Sequence, residues 1–435
     1  MIGPMIGPMI GPMISLVAQL TAIALFLSGA LCFGILFKGC YVLRRHARGR
    51  SRDESILLLK SPQVPMVSVV AVARDGSAES RSFVRRLLDL HFSSHQVVLV
   101  LDGHSELEFE KWTAEFRLIA TNRGTWESAD PLRLVVARTE HVGVAAAHNS
   151  GVALAAGTII ALFDRDSEFI PEALLRLIVP ILQDPEGTTA VCGVAPDFSS
   201  GSLIERFNAL ESLRLWLARC AAFAGWNMLI PVPGCCLLIR RDAIQQAGGF
   251  PVSEELPGLA APLELILHLH GRARKGGAPF RMALVAEPVS YLPAPKSSDD
   301  LRRLMANDQR ALRAAFRHRK SIAGGTGAIG WGLSGLLYDR LLRPLVETAL
   351  YVLTAIGIVL GLVPLQVGAL VLLCTVGTGI LVSMSAVVLR ELAGYRGSNP
   401  SQLANLFFAA IPENLGYRQM RNLWLVHSFL KSKTR

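Results

Sequence analysis

The chain has 435 residues, 51% of them apolar, and a mean hydropathy of +0.39. That is long enough for one or two domains and too apolar for a protein bathed in water throughout. The formal net charge of +10 suits anionic lipid headgroups or nucleic acid. With no zinc-ligand spacing and no aromatic-plus-basic RNA motif, nucleic acid drops out and the membrane surface remains.

Residues 1–12 are low-complexity Met-Ile-Gly-Pro repeats and carry no functional signal. From Met13 to Phe37 (residues 13–37) the chain is uncharged and about long enough to cross a bilayer as a helix. A basic linker follows at 38–61, with Lys38, Arg44, Arg45, Arg48 and Arg50, which the positive-inside rule places in the cytoplasm. The apolar run is too long for a cleaved signal peptide, and its charges lie on the wrong side. The seven cysteines (Cys32, Cys40, Cys192, Cys220, Cys235, Cys236 and Cys374) are scattered without metal spacing, as expected of a reduced cytoplasmic domain.

Across 62–300, strand-like and helix-like patterns alternate, which predicts an α/β layered domain. Val67–Ala73 reads as a strand and Ser80–Leu90 as a helix with Phe83, Leu87 and Leu88 on one side. Gln96–Leu101 and Leu132–Ala137 read as further strands, and Val144–Ala156 as a helix of small residues. A β-branched run then ends in Asp164-Arg165-Asp166, followed by a helix near Pro171–Ile181 with Pro at its first turn. Residues i and i+2 of an extended segment point the same way, so Asp164 and Asp166 are placed to grip one divalent cation. Hard oxygen ligands suit Mg²⁺ or Mn²⁺ beside a sugar-phosphate. A lone acidic pair after a strand is more often a loop cap or turn starter. Here, however, Arg74-Asp75 and Asp102 also sit at strand ends, where open α/β sheets bind their ligands.

Residues 301–344 read as a linker with interfacial helices, Trp331 and Tyr338 marking the membrane boundary. The zone 345–389 is long enough for two spans joined near Pro364-Leu365-Gln366. Its flanks are basic, with Arg317, His318, Arg319 and Lys320 before it and Arg390 and Arg396 after. About three transmembrane helices result, with the N-terminus outside and the α/β domain and the tail at 390–435 in the cytoplasm.

These segments, in this order, resemble family-2 glycosyltransferases, particularly the membrane-bound type that makes bacterial exopolysaccharides. Val-Ala-Arg74-Asp75 and Leu-Asp102-Gly-His-Ser are similar to the family's first two strand ends, and Phe-Asp164-Arg-Asp166 to its D-x-D strand. Gly143-Val-Ala-Ala-Ala-His-Asn149-Ser-Gly resembles the G-K-A-x-A-x-N segment. Gly234-Cys-Cys-Leu-Leu-Ile-Arg240-Arg241, with Gly248-Gly249-Phe250 after it, resembles the acceptor-side block. Pro412-Glu-Asn-Leu-Gly-Tyr-Arg-Gln419 is similar to the family's tail after its last span. The resemblance implies a GT-A (Rossmann-like) domain that binds a nucleotide-diphosphate sugar with Mg²⁺ or Mn²⁺. Asp102 would contact the nucleoside and Asp164 the ribose or sugar, with Arg74, Asp75, Asn149 and Arg310 completing the nucleotide-sugar site. Asp166, beside Asp164, would bind the metal. The implied partners are a glycan or lipid-linked acceptor, membrane lipids and subunits of a synthase complex, at the bacterial inner membrane.

The catalytic motifs depart from the family. Ala261 and Pro262 stand where an acidic pair supplies the base, leaving Glu255 and Glu264 as the nearby carboxylates considered for that role. Pro262 is also expected to disfavour helix at Ala261. Asn307-Asp-Gln-Arg310-Ala311 keeps the arginine of the Q-x-x-R-W motif but not its tryptophan. Two functions therefore compete: an active polysaccharide glycosyltransferase, and a catalytically degenerate nucleotide-sugar-binding or scaffold subunit.

Overall fold

The computed structural model describes residues 7–49, 64–122, 124–129, 133–194, 201–231, 234–252, 260–274, 277, 279–291, 309, 312–313, 328–393 and 399–432. Its strands, in chain order, are β1 (Val67–Ala73), β2 (His95–Asp102), β3 (Leu118–Ala120), β4 (Trp126–Ser128), β5 (Leu134–Thr139) and β6 (Ile159–Leu162). They continue with β7 (Glu168–Phe169), β8 (Ala190–Gly193), β9 (Cys236–Arg240), β10 (Met282–Val285) and β11 (Ser290–Tyr291). Nine of them form one mixed sheet in the order β10-β8-β9-β6-β1-β2-β5-β4-β3, and β7 and β11 pair separately. The centre, β6-β1-β2-β5, is parallel, while β9 enters antiparallel between β6 and β8.

The central strands are apolar at nearly every position because both faces of the sheet are covered. Val67, Val69 and Ala71 of β1 pack into one core with Phe83, Leu87, Trp112 and Leu177. Those partners come from α2 (Ala78–Leu88), α3 (Glu106–Phe116) and α5 (Ala173–Gln183). Val70 points to the opposite core, with Val152 of α4 (Val144–Leu154) and Leu210 and Leu213 of α6 (Leu203–Leu215). Phe250, and Leu265 of α8 (Ala260–Arg274), which follows α7 (Arg241–Gln246), join the same core. The small residues of α4 let it lie close on the sheet: a Cβ at Gly151 would come within 2.5 Å of Val70 Cγ1. The strand expected at 132–137 runs instead to Thr139, because Arg138 and Thr139 still pair with Leu101 and Asp102 of β2.

Among the described residues, three helices are long and apolar enough to cross a membrane: Gly11–His46, Gly330–Val359 and Leu365–Leu392. The first lies within α1 (Gly7–Gly49). The second starts well before the expected Leu345. There α9 (Ala328–Leu337) passes through a π-helical turn, Tyr338–Leu342, into α10 (Arg343–Val359). Its charged residues need no break in the helix because they find partners, Arg340 on Glu211 and Asp339 on Arg219. The third is α11 (Leu365–Leu372) continued by α12 (Thr378–Leu392). The tail folds back as α13 (Pro400–Pro412) and α14 (Arg418–Ser432), which pack on α6 and α10 respectively.

Candidate functional site

The carboxyl ends of β6, β1 and β2 lie side by side, with Val69 beside Ala161 and Ala73 beside Leu101. β2 ends in Asp102, and the loops leaving β6 and β1 carry Asp164 to Asp166 and Arg74-Asp75. The three acidic positions singled out from the sequence therefore share one edge of the sheet.

The D-x-D segment is not extended. β6 ends at Leu162, and Ser167 N–H donates to the Asp164 carbonyl at 3.2 Å, closing a tight turn. Strand alternation stops there, so the expectation that Asp164 and Asp166 present one shared face is corrected. Asp164 is buried, and its Oδ2 accepts from Gly234 N–H at 2.8 Å while Oδ1 accepts from Asp166 N–H at 3.2 Å. Burial pushes its carboxyl above the usual range, against the lowering effect of those two hydrogen bonds. Asp166 is exposed and makes no side-chain hydrogen bond or ion pair among the described residues. Arg86 holds the turn from below, donating to the carbonyls of Ser167 and Arg165 at 3.2 and 3.5 Å.

Arg165, the middle residue of the motif, is a site residue that sequence reasoning passed over. Its Nη1 donates to Asp75 Oδ2 at 2.8 Å and to Ser80 Oγ at 2.9 Å. Asp75 Oδ1 accepts from the Ser77 hydroxyl at 2.7 Å and from that of Ser80. Burial alone would raise the Asp75 pKa, but the hydrogen bonds from Ser80, Arg165 and Ser77, with the Arg165 charge, hold it well below the carboxylate range. Arg74 beside it is exposed. The signal that marks Arg165 is an arginine between two carboxylates, one strand away from a third.

Asp102 is 1% exposed. Its Oδ1 accepts from Thr139 Oγ1 at 2.9 Å and Val142 N–H at 2.8 Å, and its Oδ2 from Gly143 N–H at 3.2 Å. It therefore braces the loop between β5 and α4. Asn149 is likewise engaged at both ends, accepting from Phe250 N–H at 2.7 Å and donating to Phe250 O at 3.0 Å. It clamps the turn at Gly248 and Gly249, whose φ values of 82° and 87° require residues without a side chain.

On the acceptor side, α8 begins at Ala260 and includes Ala261 and Pro262, correcting the expectation that Pro262 keeps Ala261 out of a helix. First-turn N–H groups have no intrahelical partner, so proline is accommodated there. Ala261 is buried, and Glu264 is 6% exposed on the same helix. Glu255 and Arg310 lie outside the described residues.

No group of three or more His, Cys, Asp or Glu side chains converges among the described residues. A cation here would rest on one or two carboxylates, with phosphate and water filling its other positions. That donor set suits Mg²⁺ or Mn²⁺, and Asp166 is the carboxylate open to supply it.

Residues 81–247, from within α2 to just past α7, match the family model described as Glycosyl transferase family 2. A curated relative, a probable glycosyltransferase YdaM of Bacillus subtilis (strain 168), is 22% identical over 192 residues. The alignment covers 43% of this chain and 43% of that protein, so the chain spans less than half of the relative's length. Among solved structures, the mannosyltransferase PcManGT from Pyrobaculum calidifontis, in complex with GDP-Man and Mn²⁺, aligns with a TM-score of 0.53 at 18% identity. It covers 92% of this chain and 99% of its own, so the likeness in fold extends through the apolar helices. Residues 81–247 thus carry a match to glycosyltransferase family 2, within a mixed α/β sheet of GT-A type joined to three candidate membrane-spanning helices among the described residues.

Proposed function

We propose that the protein transfers a sugar from a nucleotide-diphosphate sugar to a glycan or lipid-linked acceptor of the cell surface, from the inner face of a bacterial inner membrane. The observation that carries this reading is the exposed Asp166 carboxylate, on one sheet edge with the Arg165–Asp75 pair. Asp166 would hold Mg²⁺ or Mn²⁺, which when bound neutralises charge on a leaving diphosphate. Arg165 and Arg74 add fixed positive charge for the phosphates, and Asp75 orients Arg165. Asp102 and Asn149 act one step back by setting the loops that frame the donor. The basic flanks of the apolar helices support the orientation, and the GDP-Man and Mn²⁺ of the similar mannosyltransferase support the donor class. Titrating the purified chain with UDP- and GDP-sugars, with and without Mn²⁺, tests the reading. Saturable binding that requires the metal is the expected result, and the absence of binding across the panel would overturn it.

A second reading, a nucleotide-sugar-binding subunit of a synthase complex, is favoured by one observation. The first turn of α8 carries a buried Ala261 and Pro262 where a catalytic carboxylate is expected. Sugar transfer by membranes containing this chain alone separates the two.

A further inference from the structure

Where the sheet domain meets the apolar helices, α1, α6, α10 and α14 enclose a cavity of about 220 Å³. For comparison, about 150 Å³ suffices for a benzene-sized guest. Six arginines line it: Arg214, Arg219, Arg340, Arg343, Arg418 and Arg421. Four carboxylates answer them. Arg214 pairs with Glu413 at 2.6 Å, Arg219 with Asp339 at 2.9 Å and Arg418 with Glu347 at 2.9 Å. Glu211 serves three of them: Arg340 at 2.9 Å, Arg214 at 3.2 Å, and Arg421. The cluster thus holds more positive than negative charge in a poorly solvated place, an arrangement that is costly without an anion.

Of the six, Arg343 is the one with no direct ion pair among the described residues. Among the described residues its Nη1 reaches only the Cys32 sulfur, at 3.7 Å, and its Nε is buried without a hydrogen-bond partner. A guanidinium offers a fork of donors that matches a phosphate. Arg343 lies one α10 length from the hairpin tip, about 24 Å at 1.5 Å per residue. With a hydrocarbon core about 30 Å thick, that depth is near the headgroup layer on the sheet-domain side. Leu31 of α1 both lines the cavity and is 66% exposed on the lipid-facing surface, so the cavity has an apolar way out.

We propose that this cavity binds the phosphate headgroup of a membrane lipid, with the phosphate on Arg343 and the hydrocarbon chain leaving past Leu31. The full-length chain in neutral detergent is titrated with dioctanoyl phosphatidic acid, dioctanoyl phosphatidylcholine and inorganic phosphate, with bound ligand counted by native mass spectrometry. Saturable one-to-one binding of phosphatidic acid is expected, at least roughly tenfold tighter than either other probe, the scale of one charge-assisted hydrogen bond. Arg343→Gln should lose that preference, Arg343→Lys should retain most of it, and Arg45→Gln on the exposed end of α1 should leave it intact. Equal binding of phosphatidic acid and phosphatidylcholine would overturn the site. Equal binding of inorganic phosphate would overturn the lipid as its source. Both comparisons use the unmodified chain and stand even where Arg343→Gln fails to fold.

Discussion

Arg165 reaches from the turn after β6 to the carboxylate of Asp75 after β1, at 2.8 Å, and so ties together two of the three strand ends that make the site. The same guanidinium lies between Asp164 and Asp166 in sequence. Any anion drawn to Arg165 is therefore delivered beside the exposed Asp166 carboxylate.

Asp166→Ala should weaken Mn²⁺-dependent binding of a nucleotide sugar by roughly tenfold or more while leaving the thermal midpoint of the apoprotein nearly unchanged, since its side chain is exposed. Asp164→Ala should do the reverse first. It strands the Gly234 N–H and should cost about 1–3 kcal/mol of stability. Calorimetric titration paired with thermal melts reads both effects. Indifference of binding to Asp166→Ala would remove the metal assignment.

Asp102→Ala should destabilise the sheet domain by about 1–3 kcal/mol, because three hydrogen bonds from Thr139, Val142 and Gly143 to a buried acceptor are lost. Asp102→Asn keeps one oxygen acceptor and should cost less. Urea unfolding of the two variants, compared at equal m-value, checks the order.

The turn held by Asn149 separates two adjacent glycines. Gly249→Ala places a Cβ 2.5 Å from Asn149 Oδ1 at a φ of 87°, whereas at Gly248 a Cβ meets nothing within 4 Å. Gly248→Ala should cost about 1 kcal/mol, the backbone strain alone, and Gly249→Ala distinctly more. Equal losses in thermal melts would show that the clamp does not constrain the turn.

The depressed Asp75 pKa carries a pH signature. A carboxyl with a lowered folded-state pKa contributes stability that is complete above its unfolded value of about 3.9 and is lost as the pH falls toward the folded value. Arg165 and Asp75 are 38% and 46% exposed, so the contribution should stay below about 1 kcal/mol. Asp75→Asn should flatten the acid side of the melting-temperature profile below about pH 4 and leave the neutral region alone.

Membranes carrying only this chain should transfer labelled sugar slowly, since loss of a general base typically removes about 10²–10⁴-fold in rate. If turnover is brisk instead, Glu264→Gln and Glu255→Gln identify the group that serves in place of Ala261 and Pro262.

The parallel core was legible because runs such as Val67–Ala73 are apolar at every step but Ser68, which a sheet covered on both faces demands. The edge that carries the site was legible for the same reason: strands announce their ends. What each acidic side chain does there was not. Asp164 and Asp166 diverge because a turn, invisible in the alternation rule, begins one residue earlier than the motif suggests. Asp102 and Asn149 have partners 40 and 101 residues away, which no local pattern carries. The second apolar helix was read too short because Asp339 and Arg340 look like a boundary until Arg219 and Glu211 are seen to neutralise them.

Arg214 and Glu413, joined at 2.6 Å, are 199 residues apart. In vectorial synthesis the arginine emerges long before its carboxylate, as does Glu347 before Arg418. Assembly of the joint therefore waits for the segment that carries Glu413 and Arg418, which acts as its latch. Until that segment arrives, Arg214 of α6 keeps Glu211, at 3.2 Å on the same helix, but lacks Glu413, and Glu347 of α10 lacks Arg418. Chains cut short before Glu413 should be recognised by the cell as unfinished even though their sheet is complete.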